Sequence, residues 1–536
     1  MKIKNIVTIV AIVAVLGLAI GVAASGAEVN GTFWALVPPI IAICLALITK
    51  EVYSSLFLGV TAAAIFACGG SVTTAVDHVT STGFIAAISG TAGIFLFLVV
   101  LGIIVALINK AGAAAAFGRW AKTHIKSRVG AQLASFFLGV LIFIDDYFNC
   151  LTVGSVMSPV ADNHRISRAK LAYIIDATAA PICMIAPISS WAAAVSEYAG
   201  DAGVSGFELF VKAIPYNFYS LLTIVFVVAI IVMKADYGPM RRHERNAMLF
   251  GDVHSTDERV DGIDETESNP RGRVIDLLLP VVALIAISVV GMLYIGGLWT
   301  AGDTRGDLIG AFGNTDATVA LPWGGLIALV AVILWMMVRK LVTFKEAMEC
   351  IPKGFVAMVP AIIILTMATA LKNISNDVLH ADTYVEMLMQ SETAQSLQNF
   401  LPAVIFVVAC FLAFASGTSW GTFGILIPIV SEMFSVDNPL LIIGMSACLA
   451  GAVCGDHCSP ISDTTIMSSA GARCVHVNHV STQLPYAITV AVISFICFLL
   501  AGFVQNAWIC LGIGVAMVIG FLFVMRTRGK KLDAKA

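Results

Sequence analysis

Four short stretches of this chain place acidic, hydroxyl and amide side chains inside otherwise apolar sequence. The first is Phe143-Ile144-Asp145-Asp146-Tyr147-Phe148-Asn149-Cys150-Leu151-Thr152. The second joins Asp176-Ala177-Thr178 to Ala186-Pro187-Ile188-Ser189-Ser190. The third is Ser416-Gly417-Thr418-Ser419-Trp420-Gly421-Thr422, and the fourth runs from Cys454 to Thr465. Within the fourth, Gly455-Asp456-His457-Cys458-Ser459-Pro460-Ile461-Ser462-Asp463-Thr464-Thr465 is the densest cluster.

These residue types suit a small hard cation. Proline removes a backbone donor and breaks the helical ladder, and glycine permits unusual backbone angles. Helices that break at 181–190 and 455–465 would free carbonyl oxygens, with hydroxyls and carboxylates completing an ion's shell. The candidate ion- or substrate-binding residues are Asp145, Asp146, Asn149, Thr152, Asp176, Ser189, Ser190, Thr418, Ser419, Thr422, Asp456, His457, Ser459, Ser462, Asp463 and Thr464. Sodium itself is expected at Asp456, Ser462 and Asp463, because these lie in the break. Burial favours a protonated carboxyl and a bound cation favours the ionised form, so proton and sodium would compete for one group. Plainer roles stay open at this point. Asp145 and Asp146 could cap a half-helix, Ser189 and Ser190 could satisfy backbone carbonyls, and His457 could be a structural partner. His476 and His479 follow Arg473 and are expected at the interface.

The elements that would hold these groups are membrane helices. The chain has 536 residues, 59% hydrophobic and 12% charged, about half the charge of a soluble domain. A spanning helix needs about 20 mostly apolar residues. Candidate spans are 5–25, 32–49, 53–69, 85–109, 171–196, 213–233, 274–297, 319–338, 355–371, 439–470, 484–504 and 508–525. Two further apolar stretches, 130–160 and 400–431, are interrupted by polar residues and read as re-entrant hairpins. The fold class is therefore an all-α polytopic membrane protein with about twelve crossings. The net charge of −3 gives no reason to expect a nucleic-acid partner. Most of the twelve cysteines sit in apolar runs and read as free, buried thiols.

Lysine and arginine set the orientation. Lys110, Arg119, Lys122, Lys126 and Arg128 lie before the first hairpin, and Arg165, Arg168 and Lys170 lie after it, which brackets it with positive charge. Lys234, Arg241, Arg242, Arg245, Arg259, Arg271 and Arg273 mark a charged cytoplasmic linker, 234–273. Asp201 and Glu208 mark an outside connection, as do Asp303, Asp307 and Asp316. With Arg339, Lys340, Arg473 and the tail Arg526 to Lys531 inside, both termini are expected in the cytoplasm.

Matching landmarks recur at a common offset. Pro159 and Pro428, Pro187 and Pro460, Pro215-Tyr216 and Pro485-Tyr486, and Gly83-Phe84 and Gly354-Phe355 pair in this way. With the charge map, they imply two inverted repeats of about five crossings plus one hairpin, with unwound helices near the midplane. The expected organisation is an extra N-terminal helix over 1–30, repeat one over 31–233 and the linker 234–273. Repeat two over 274–505 and an extra helix with a basic tail over 506–536 complete it.

The run Gly455 to Thr465 closely resembles the signature of the NhaC family of sodium/proton antiporters, and Phe143 to Asn149 is similar to that family's first-half motif. The resemblance extends over residues 30 to 505. The family belongs to the ion-transporter superfamily of inverted repeats. The resemblance implies a bacterial or archaeal inner-membrane carrier of sodium, or lithium, against protons, with membrane lipid around it, no cofactor and a homodimeric assembly. Relatives that exchange malate and lactate imply an alternative: a sodium- or proton-coupled carrier of a small carboxylate or amino acid.

Enzyme readings find little purchase. No GxxxxGK[ST] phosphate loop occurs. Gly451-Ala452-Val453-Cys454-Gly455-Asp456 lacks the Gly-x-Gly-Asp of intramembrane aspartyl proteases, and His243-Glu244 lacks the second histidine of a zinc protease. Cys454, His457 and Cys458 form only a weak zinc pattern.

Overall fold

Breaks, rather than spans, organise this chain. A computed structural model describes residues 2–49, 51–198, 206–255, 269–300, 304–308, 311 and 315–533. Asp201, Arg259, Asp303 and about a third of the expected linker (256–268) lie outside the described residues. Each of the twelve candidate spans falls on helix. Among the described residues, eight helices are long and apolar enough to cross a membrane, and the pair Gly206–Tyr216 and Phe218–Met233, bent by 45°, makes up to nine. The remaining expected crossings are short or interrupted, such as Phe33–Thr49, Val52–Ala67 and the segments between Arg168 and Tyr198.

Two helical hairpins carry the first and third polar stretches. Hairpin one is Arg128–Leu141 followed by Asp146–Asn163, with its tip at 142–145. Hairpin two is Leu401–Ser416 followed by Ser419–Met433, with its tip at Gly417 and Thr418. Gly417 takes φ +70, and a Cβ there would lie 2.5 Å from the Ile461 carbonyl oxygen. Only glycine combines that backbone angle with so close an approach. Thr418 then restarts the helix by accepting from the Gly421 N–H at 3.4 Å.

Two broken helices carry the other stretches. In the first, Arg168–Asp176 stops, a short turn spans Ala180–Cys183, and helix resumes at Ser190–Tyr198. In the second, Pro439–Cys458 stops and Asp463–Gly471 resumes. This second break, at 459–462, is narrower than the sequence suggests. Asp456 and His457 remain in the last helical turn because the Ser459 N–H still reaches the Asp456 carbonyl at 2.9 Å. The missing N–H of Pro460 ends the ladder only beyond that point.

The two halves repeat the same join. Ser190 donates its backbone N–H to Ile144 O at the tip of hairpin one, at 3.2 Å, and Asp463 donates to Gly417 O at the tip of hairpin two, also at 3.2 Å. Ser189 and Ser462 cap the restarted helices, accepting from the N–H groups of Ala192 and Thr465. Every member of these pairs lies 273 residues from its counterpart.

The expected linker contains structure. Helix Gly238–Phe250 docks beneath hairpin one, where buried Glu244 pairs with Arg128 and accepts the Ser167 N–H at 2.9 Å.

Candidate functional site

The second break and the tips of both hairpins converge on Asp456. Its side chain is 2% exposed. One oxygen accepts from Ser419 Oγ at 3.0 Å and from Thr464 Oγ1 at 3.3 Å. The other oxygen, Oδ1, has no hydrogen-bond partner. A buried carboxylate oxygen left in that state is costly unless something else occupies its lone pairs. Close packing brings the carboxylate there: at Gly455 an added Cβ would lie 2.1 Å from the Cys410 carbonyl oxygen of hairpin two.

Asp145 and Asp146 approach from the other half, and Asp146 lies in electrostatic reach of Asp456. Both are buried. They divide their directions, as adjacent residues must. Asp145 lines a cavity of about 600 Å³, while Asp146 lies beside the Trp191 indole. That cavity also reaches Tyr147, Asp463, Asn109, Lys110 and Lys353. Asp463 is exposed to it and accepts from Tyr147 Oη at 3.2 Å. Asp456 and Asp463 therefore differ in setting, one enclosed and one facing the cavity.

Several candidates serve the backbone. Asn149 donates to the carbonyls of Gly139 (2.7 Å), Ile142 (2.9 Å) and Thr178 (3.2 Å), fastening hairpin one to the first break. Its Oδ1 has no partner. Ser189 donates to Cys183 O at 2.8 Å and Ser459 to Phe414 O at 2.7 Å. Thr422 bonds Thr418 O at 2.9 Å. Thr152 is buried in the second arm of hairpin one. Ser190 Oγ is buried without a partner. Ser462, besides its capping role, meets Thr464 Oγ1 at 3.2 Å. His457 turns Nδ1 to Tyr219 Oη at 3.1 Å and leaves Nε2 without a partner. Among the described residues, no group of three His, Cys, Asp or Glu side chains is placed to hold a metal.

Asp176 forms a second, separate cluster. It is fully buried and accepts from Thr465 Oγ1 (3.0 Å), Ser468 Oγ (3.3 Å) and Gln483 Nε2 (2.6 Å). His479 Nε2 lies 3.9 Å away. The expectation that His479 lies at the interface is overturned, since its side chain is fully buried. Its helix, His476–Val504, turns that face toward the second break.

Sequence reasoning missed Tyr147, Trp191, Gln483, Thr465 and Ser468 as neighbours of the acidic groups. Thr465 closes the conspicuous motif and Ser468 lies one helical turn beyond it, a signal that was readable. Gln483, in the polar stretch just before the span 484–504, carried no such signal.

The model of the Na+/H+ antiporter family matches residues 191–503. A Haemophilus influenzae protein with no assigned activity is 35% identical over 94% of this chain and 97% of its own length. The malate-2H(+)/Na(+)-lactate antiporter of Bacillus subtilis is 34% identical, and the arginine/ornithine antiporter ArcD of Halobacterium salinarum 33% identical. Each of these two matches covers only 20% of this chain and 23% of the relative. The YdaH transporter of Alcanivorax borkumensis shares the fold, with a TM-score of 0.57 at 11% identity over 80% of this chain and 88% of that one. The family match and the eight apolar helices among the described residues make this chain a multi-pass membrane transporter. This chain belongs to the Na+/H+ antiporter family.

Proposed function

We propose that the protein exchanges sodium, or lithium, for protons across the inner membrane, with the Asp456 carboxylate shared between cation and proton. The observation that carries this reading is the unpartnered Oδ1 of a buried carboxylate at the meeting of a hairpin tip and a helix break. Neutral Asp456 would place its proton on that oxygen. Ionised Asp456 would turn it to sodium, with Ser462 and Asp463 adding oxygen ligands from the adjacent break. The cavity lined by Asp145, Tyr147 and Asp463 supplies a wet approach, with Lys110 and Lys353 on its wall.

The domain plan of two inverted repeats, 31–233 and 274–505, goes with this reading. Its support is the recurrence of the same hairpin-to-break join 273 residues apart. An odd number of crossings per repeat inverts the second copy and leaves both termini in the cytoplasm. A homodimer remains the assembly we propose from the resemblance to the superfamily.

Asp456→Asn in proteoliposomes carrying a pH-sensitive dye should lose sodium-dependent proton movement while the protein stays in the membrane. Wild-type exchange in that variant would remove Asp456 from the mechanism.

A second reading has its own observation. Trp420 is buried with its indole N–H unpartnered, and 5.9 Å from its ring lies that of Trp191, whose indole neighbours Asp146. Such a donor suits an anionic group better than a cation. The cavity also falls in the size range of small-molecule sites. Coupled transport of a small carboxylate or amino acid follows on this reading. In the same liposomes it predicts no proton movement until an organic solute is added.

A further inference from the structure

The cluster around His479 lies outside the site at Asp456 and contains a buried titratable pair that sodium exchange at Asp456 does not use. Its hydrogen bonds constrain the proton positions. Gln483 Nε2 donates to Asp176 Oδ2 at 2.6 Å and to His457 O at 2.9 Å. The amide oxygen of Gln483 must then face His479 Nε2, which it meets at 2.9 Å. An amide oxygen only accepts, so Nε2 carries a hydrogen.

The other ring nitrogen also faces acceptors. His479 Nδ1 is 3.2 Å from Thr465 O, which cannot donate, and 2.9 Å from Ser469 Oγ. Ser469 has one hydrogen, and its other neighbours are Thr465 O at 2.7 Å and His476 Nδ1 at 3.1 Å. His476 Nε2 lies 2.7 Å from Pro460 O and so carries a hydrogen, which leaves His476 Nδ1 to accept when that ring is neutral. Two assignments satisfy these contacts: protonated His479 donates from Nδ1 to Ser469 Oγ, whose own hydrogen goes to His476 Nδ1, and neutral His479 accepts the Ser469 hydrogen at Nδ1. In the first, both ring nitrogens donate and the ring is an imidazolium opposite Asp176. The same contacts thus accommodate His479 with and without the extra proton, which differ only in the direction of the Ser469 hydroxyl.

We infer that His479 is a second proton-carrying residue of the transport cycle, with Asp176 as its counter-charge and Ser469 and His476 as its path to water. The step moves one proton from His479 Nδ1 to Ser469 Oγ while the Ser469 proton passes to His476 Nδ1. His476, which is partly exposed near Arg473, then gives a proton to water. Neutral His479 keeps its Nε2 hydrogen on Gln483. The charged groups facing His479 are Asp176, from the helix Arg168–Asp176, and His476, from its own helix. The resumed helix Asp463–Gly471 presents the neutral Thr465, Ser468 and Ser469, and hairpin one presents Cys150 behind Ser468. Asp176 shares its donor Gln483 with the His457 carbonyl, one residue from Asp456, so the second proton is held next to the helix turn that bears the first.

This inference rests on the exchange reading, and the test separates the two. Proteoliposomes with defined sodium and proton gradients are held at a series of membrane potentials with potassium and valinomycin. The potential of zero net flux reads the number of protons moved per sodium. His479→Gln should shift that potential to the value for one proton fewer, whereas His476→Gln should slow exchange and leave it in place. An unshifted potential in His479→Gln overturns the inference, and absence of sodium-driven proton movement in the wild type overturns the exchange reading instead. Should His479→Gln fail to fold, nitrogen NMR of ¹⁵N-histidine-labelled wild-type protein decides the matter. A ring protonated at both nitrogens that becomes neutral between about pH 5 and 8 supports the inference. Neutral rings throughout that range overturn it.

Discussion

At the scale of single residues, what separates Asp456 from its acidic neighbours is how few bonds it has relative to its burial. Asp176 is as deeply buried but has donors on both oxygens, whereas Asp456 has Ser419 and Thr464 on one oxygen alone. Removing the Ser419 hydroxyl therefore loosens the carboxylate that the cation would need oriented. A hydrogen bond to a charged group is worth about 1.5–3 kcal/mol, so Ser419→Ala should lower apparent sodium affinity by roughly tenfold or more. An unchanged sodium dependence of proton flux in Ser419→Ala would show that this bond has no part in ion binding. The type of chemistry was legible in the sequence at this scale, since acid and hydroxyl residues crowd the motif from Gly455 to Thr465. The separation of roles was not. Asp456 and Asp463 look alike in sequence, and only the helix turn that persists to Cys458 places one inside and the other on the cavity. His479 was misread because an adjacent Arg473 suggests an interface, while the burial of that helix face depends on packing against a distant break.

At the scale of elements, caps and close approaches hold the breaks in place. Gly417 should tolerate nothing larger, because alanine there meets both a positive φ and the Ile461 carbonyl. Strain of this kind costs about 1–3 kcal/mol, and Gly417→Ala should lower the thermal midpoint in detergent and impair exchange; wild-type values for both would refute the close approach. The helix Phe344–Asn373 begins with a capping box in which Thr343 and Glu346 bond each other's backbone N–H groups. Bonding from the Thr343 N–H, with help from its hydroxyl and Lys110, holds the Glu346 carboxyl below its usual range. The stabilisation is thus present above the unfolded value, about 4.3, and lost as pH falls through the depressed folded value. Thr343→Ala should cost about 1 kcal/mol near neutrality. The part of that cost carried by the Thr343 hydroxyl on the Glu346 carboxylate should fade as pH falls through the depressed value, while the part carried by its bond from the Glu346 N–H persists. A gap in thermal midpoint wholly independent of pH would count against the bond to the carboxylate. Both hairpins were readable as interrupted apolar stretches. The docked helix Gly238–Phe250 was not, because a charged segment gives no sign of its partner, and here the partner is Arg128 over a hundred residues away.

At the scale of the whole molecule, the proposed topology makes a direct statement about sides. Arg305, in the connection after Ile275–Ile295, belongs outside, and Lys340, after Ala317–Val338, belongs in the cytoplasm. A membrane-impermeant maleimide applied to intact cells should label Arg305→Cys, and should label Lys340→Cys only after permeabilisation. The reverse pattern would overturn the orientation. Proline landmarks suggest the proposed repeat in the sequence because a missing N–H constrains the chain wherever it falls. The number of continuous crossings was harder to read, since hydropathy registers apolar length and is blind to a helix that stops and resumes within it.

One residue ties these scales together. Asp463 gives its backbone N–H to the tip of hairpin two and takes the Tyr147 hydroxyl of hairpin one on its carboxylate. It is a hinge pin shared by two doors. A cation arriving at that carboxylate would draw on the bond to one hairpin while the other stays fastened through the main chain. Occupancy would then be felt unequally by the two gates, and that asymmetry is what a carrier needs so that both do not open together.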